Sequence, residues 1–137
     1  MISATITTEI QFYQLDPMKV VWHGNYPQFF EQARSALLTR LQYNYAEMEQ
    51  SGYLWPIVKM DIKYVKPLTL GQEIEVTATL KEFEQQMKIS YLITDSATGQ
   101  RMTKAMTTMV AVDESTGQMC FGSPQIFLDK VAACSAG

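Results

Sequence analysis

A chain of 137 residues with 47% hydrophobic content is one domain's worth of sequence and can build a core of its own, and a net charge of −3 without a basic run gives nucleic acid no footprint. No apolar run is long enough to span a bilayer, and no basic stretch followed by an apolar one marks a secretory leader. Cys120 and Cys134 make neither a disulfide framework nor a zinc-like ligand spacing, so the expectation is a cytoplasmic protein with two reduced thiols, no metal and no other cofactor.

In chain order, residues 2–13 alternate. Ile2, Ala4, Ile6, Thr8, Ile10 and Phe12 fall on one face and Thr5, Thr7, Glu9 and Gln11 on the other, as in a half-buried strand. After a loop, Tyr26, Phe29, Phe30, Ala33, Leu37, Leu41, Tyr45 and Met48 recur at three- and four-residue spacing. That stripe predicts one helix from Tyr26 to Gln50, about six or seven turns, with Gly52 as its C-cap. Alternation then predicts strands at 58–64, 73–80 and 87–93, and a long strand at 102–112 that is apolar on much of both faces. Turns are marked at Leu70-Gly71, 95–99 and 113–117. A short strand at 119–121 and a helix opened by Ser123-Pro124 through about Val131 follow, with a loose tail over 132–137. There is no internal repeat. One strand, one long helix and then consecutive strands is an α+β pattern: a single domain, 1–137, with a sheet wrapped on one helix.

The loop Gln14–Tyr26 holds the chain's chemistry. Asp16 precedes Pro17, which pushes its backbone toward an extended conformation at the end of the first strand. Asn25 has the character of an N-cap, with Gln28 three residues on as in a capping box, and Pro27 fits the first helical turn. The amides of His23 to Tyr26 then lie at a free helix N-terminus, with unpaired donors and partial positive charge. A carboxylate beside such an end suits attack on a carbonyl.

Asp16-Pro-Met-Lys-Val-Val-Trp-His-Gly-Asn-Tyr26, followed by Phe29-Phe30-Glu31-Gln-Ala-Arg34, resembles the signature of hotdog-fold acyl-CoA thioesterases, in the 4-hydroxybenzoyl-CoA thioesterase-like branch. Lys19 departs from the pattern, since many members have Gly there. The resemblance covers nearly the whole chain. It implies hydrolysis of an acyl thioester to acid and thiol, and a homodimer or homotetramer with active sites at the dimer interface. It further implies Asp16 as nucleophile or general base and the backbone N–H at His23 as oxyanion donor.

Each residue also has a plainer role. Asp16 fits a turn, and the His23 side chain fits packing or capping as well as carbonyl polarisation. Tyr26 fits the helix stripe as well as a pocket hydroxyl, and Asn25 flanks the site. Trp22, Phe29, Phe30, Trp55 and Tyr64 fit the core as well as an acyl slot, and so do the nine methionines. Glu31 is the reserve acid; near a helix N-terminus and three residues before Arg34 it is equally a structural charge. Lys59, Lys63, Lys66, Lys88, Arg101 and Lys104 are the cations available to coenzyme A phosphates, or a solvated polar face. An acyl-carrier-protein substrate and a non-catalytic acyl-thioester-binding domain are the rival readings. Dehydration of a hydroxyacyl thioester ranks below both, because His23 precedes the helix instead of pairing with an acid on it.

Overall fold

The computed structural model describes residues 1–136. In chain order the elements are β1 (Ser3–Glu9), α1 (Tyr26–Arg40), α2 (Tyr45–Ser51), β2 (Tyr53–Leu54), β3 (Ile57–Tyr64), β4 (Glu73–Glu82), β5 (Met87–Asp95), β6 (Arg101–Met109), β7 (Val112–Asp113) and α3 (Gln125–Ala136). Five strands form one sheet in the order β1-β4-β5-β6-β3, every neighbouring pair antiparallel. β2 and β7 form a separate two-stranded pair.

The sheet wraps α1, which lies chiefly against β1 and β4 and also touches β5. Alternation decides which side chains meet it. Ile74, Val76, Ala78 and Leu80 of β4 and Met87, Ile89, Tyr91 and Ile93 of β5 are buried on the helix side. They face Phe29, Phe30, Ala33, Leu37 and Leu38 of α1, all fully enclosed. Each large side chain of this set contributes roughly 1.5–3 kcal/mol by burial. A second cluster, Tyr43, Trp55 and Phe127, ties α3 and the loops flanking α2 together, with ring centroids 5.0–6.2 Å apart. Trp55 Nε1 donates to the Tyr43 hydroxyl at 3.1 Å.

Several boundaries differ from the sequence expectation. The Tyr26–Gln50 helix is two helices. α1 stops at Arg40, and Gln42 turns left-handed at φ 57° while the Tyr43 N–H donates back to Leu38 O at 3.0 Å. Asn44 then opens α2: its Oδ1 accepts from Tyr45 N–H at 2.8 Å, and its own N–H donates to Glu47 Oε1 at 2.8 Å. The apolar stripe runs through this break because Leu41, Tyr43 and Met48 are buried on either side of it. Tyr45, counted in the stripe, is exposed.

Asn25 stands at the N-cap position of α1 but makes no side-chain cap bond; it has helical φ and ψ and closes a 3-10 turn, His23–Asn25, that leads into the helix. Pro27 does sit in the first turn. β1 ends at Glu9, and Phe12 belongs to a short 3-10 turn where it is 79% exposed instead of facing the core. β6 ends at Met109, and Met119 makes only an isolated bridge to Val112. α3 continues past Val131 to Ala136, where a loose tail was expected; Gly137 lies outside the described residues. Gly52 ends α2 in the left-handed region at φ 82°.

Candidate active site

The loop after β1 folds back as a tight hairpin. Leu15 bridges Val21, Asp16 N–H donates to Val20 O at 2.9 Å, and Trp22 N–H donates to Gln14 O at 3.0 Å. The far side of the hairpin is pinned to the segment before β4, through Val21 N–H to Leu68 O at 2.9 Å and a bridge between Val20 and Thr69. The tip needs a left-handed residue, and Lys19 supplies it at φ 65°. Such a backbone favours glycine, so it accounts for the glycine that the resembled signature carries at this position.

Within this hairpin Asp16 takes a turn role and keeps a free oxygen. Oδ1 accepts from Met18 N–H at 2.8 Å, while Oδ2 has no donor among the described residues. Asp16 lines a cleft of about 230 Å³ together with Val20, Val21, His23, Tyr26, Tyr64, Val65, Lys66 and Pro67. The 3-10 turn puts its N-terminal end at the same place. Its first bond is Asn25 N–H to Trp22 O, so the N–H groups of His23 and Gly24 have no backbone acceptor among the described residues. The cleft therefore brings together a carboxylate, the one histidine and the amino end of a helical turn.

Tyr26 packs edge-on to Tyr64 with centroids 4.8 Å apart, and the Tyr64 hydroxyl donates to His23 O at 3.3 Å. Burial raises the Tyr26 phenol above its ordinary value, against lowering hydrogen bonds from the Leu68 backbone and the Thr103 side chain. It is a neutral hydroxyl at physiological pH.

The other expected site residues lie elsewhere. The Asn25 side chain donates to Gln14 O at 2.8 Å and serves as a strut holding the hairpin to the turn. Trp22 is half exposed and lies over Gly24, where an added Cβ would stand 2.4 Å from the indole ring. Phe30 is fully enclosed against Tyr91, at 4.9 Å between centroids, and does not line the cleft. Glu31 is exposed and pairs with Arg34 at 3.5 Å. Burial lowers the Arg34 guanidinium, but the Tyr91 and Tyr45 phenols outweigh it and the net direction is up, so Arg34 stays a cation. Val65 and Pro67 also line the cleft, placed there by the Val65 and Lys66 N–H bonds to Met102 O and by the Val21 N–H bond to Leu68 O, contacts between segments far apart in the chain.

A larger depression of about 460 Å³ lies between α2 and α3, but its acid, Glu47, is committed to the Asn44 cap. Among the described residues no group of three or more His, Cys, Asp or Glu could hold a metal, and no helix is long and apolar enough to cross a membrane.

The thioesterase-like superfamily model matches residues 10–132. A Bacillus subtilis (strain 168) protein named "Putative acyl-CoA thioesterase YneP" is 31% identical over 109 residues, covering 79% of this chain and 78% of that protein. A DHNA-CoA thioesterase from Staphylococcus aureus has a TM-score of 0.85 at 23% identity, covering 99% of this chain and 90% of that one. A second Staphylococcus aureus protein, solved in complex with CoA, has a TM-score of 0.85 at 16% identity over 96% of this chain and 83% of its own. With the motif, the wrapped sheet and a match across nearly the whole length in agreement, the chain belongs to the thioesterase-like superfamily and has the hotdog fold of its enzymes.

Proposed function

We propose that this protein hydrolyses an acyl-CoA thioester to the free acid and coenzyme A, with Asp16 as the catalytic acid residue and the His23 and Gly24 amides as the oxyanion donors. The observation that carries this reading is the shared cleft: the free Oδ2 belongs to a residue that lines the same small space as His23, which begins the 3-10 turn whose His23 and Gly24 N–H groups have no backbone acceptor among the described residues. A thioester carbonyl seated between them has an attacking group on one side and donors for its developing negative charge on the other.

Two routes balance. As nucleophile, Asp16 forms a bond to the carbonyl carbon, the thiolate leaves, and water cleaves the resulting anhydride. As general base, Asp16 takes a proton from water, the hydroxide adds to the carbon, and the thiol departs with that proton. The His23 side chain can orient the carbonyl or the water. Tyr26, neutral and enclosed, shapes the wall. Trp22, Asn25 and Phe30 act as supports to the hairpin, turn and core, and Glu31 remains the reserve acid.

The enzyme is a homodimer or a larger homo-oligomer. β3 is an edge strand with a free side, its inward residues Met60 and Ile62 are only half-buried, and Val58 and Tyr64 are exposed. The cleft borders this edge through Tyr64 and Val65, so a second copy docked there would wall it in. Acyl-carrier protein is the second reading for the thiol carrier, because Lys66 lies in the cleft wall and further cations flank it.

Thiol release from a panel of short, medium, long and aromatic acyl-CoAs tests the reading. Release well above the uncatalysed rate from at least one member is expected. No release from any member would overturn it.

A further inference from the structure

We propose that the corner formed by the end of β3 and the start of β6 is the docking site for the phosphates of coenzyme A, held by Lys63, Lys66, Arg101 and Lys104. This rests on the acyl-CoA reading above and adds to it the part of the protein that recognises the thiol carrier.

The register brings these cations together. Lys63 of β3 lies directly opposite Lys104 of β6. Neighbouring β-strand positions like these place Cβ atoms about 4.5–5.5 Å apart, and like charges there repel. Both side chains point away from α1, since Ile62, Tyr64, Thr103 and Ala105 on the alternate positions share the helix-side face. Arg101 begins the same strand. Lys66 is drawn to the corner by its backbone N–H, which donates to Met102 O at 2.9 Å, and its Nζ lies 3.4 Å from Gln100 Oε1.

None of the four has a carboxylate within ion-pair distance among the described residues; the pairs present are Arg34–Glu31 and Lys59–Asp61. In a chain of net charge −3 these four cations stand without a paired acid among the described residues. On the same outer face Asp61, two positions before Lys63, is taken up by Lys59, while at the far edge of the sheet Glu9 of β1 lies directly across from Glu73 of β4, with Glu75 two positions on. An anion approaching the sheet is repelled from the β1–β4 half and drawn to the β3–β6 corner.

The corner also touches the cleft. Lys66 and Tyr64 line the space beside Asp16, while Lys63 is on the reverse side of the same strand end. A thioester bound at Asp16 sends its pantetheine arm out past Lys66 and delivers its phosphates where the uncompensated charge stands. Several phosphate oxygens meeting clustered cations is the chemistry that such a cluster favours.

The test compares an acyl-CoA with the N-acetylcysteamine ester of the same acid, which has the thioester but no phosphate. The proteins are the wild type and the double variant Lys63→Ala/Lys104→Ala, with calorimetric binding of free CoA as a second measurement. The proposal expects KM for the acyl-CoA to rise about tenfold or more in the variant, with kcat nearly unchanged and KM for the N-acetylcysteamine ester unmoved. CoA should bind correspondingly more weakly, and added salt should raise the wild-type KM more than the variant's. Equal changes for both esters, or CoA binding that ignores the substitutions, would overturn the proposal. So would a dependence on these lysines seen with an acyl-carrier-protein substrate and not with acyl-CoA. A wild type that cleaves neither ester yet binds CoA through these lysines would overturn hydrolysis and support the phosphate site.

Discussion

Lys19 shows what a single residue contributes to the site. It holds φ 65° at the tip of the hairpin that presents Asp16, a conformation that costs an L-residue roughly 1–2 kcal/mol. Lys19→Gly should therefore raise stability by about 0.5–1 kcal/mol after glycine's larger unfolded-state entropy is deducted, as read by urea unfolding. An unchanged or lower midpoint would contradict that backbone assignment. Gly24 makes the complementary point, because it is the floor on which the Trp22 indole lies. Gly24→Ala should swing the half-exposed indole outward, increasing iodide quenching of tryptophan fluorescence, while the free energy of unfolding changes by less than about 1 kcal/mol. Quenching identical to wild type would contradict the contact. The turn at Asp16 was legible in the chain because the Asp-Pro pair is local. The role of Asn25 was not, because its partner, the Gln14 carbonyl, lies eleven residues away across the hairpin.

Among the elements, the strands were readable because each shows one buried and one open face. The helix break was not, since buried residues continue on both sides of it. What divides the helix is polar. Asn44 caps α2, and its Nδ2 also donates to Ser35 O at 3.1 Å and Thr39 Oγ1 at 2.9 Å, clamping the end of α1. Asn44→Ala should cost about 1–2 kcal/mol in chemical denaturation, and a cost near zero would show that the cap does not hold the break. The two turns that join β5 to β6 and follow β7 each rest on an aspartate. The Gln72 side chain and the Thr98 and Ala97 amides lower the Asp95 carboxyl, and the Ser115 side chain and amide do the same for Asp113. A lowered folded value stabilises the protein above the ordinary carboxylate pKa of about 3.9 and loses that stabilisation as pH falls through the folded value. Asp95→Asn and Asp113→Asn should flatten the fall of the thermal midpoint below about pH 4. An unaltered slope would count against these turns as acid-sensitive points.

At the scale of the whole molecule, the sequence pattern led to a sheet on a helix, whereas the strand order could not be had from alternation. Alternation says which face is buried and nothing about which strand lies beside which. The order matters because it leaves β3 at the edge, next to the cleft and the cationic corner. Light scattering should give at least twice the 15.6 kDa of one chain, and Val58→Asp on the exposed edge should reduce it to one chain without unfolding it. A monomeric wild type would contradict the interface at β3. The central claim, that Asp16 drives attack on the thioester, is tested most directly by kcat for the best acyl-CoA in wild type and Asp16→Asn, with circular dichroism as the control for folding. The substituted carboxamide keeps an oxygen for the Met18 turn but carries no charge, so the account predicts a loss of about a hundredfold or more in kcat with the fold intact. A variant that turns over as fast as wild type would contradict it and transfer the role to Glu31.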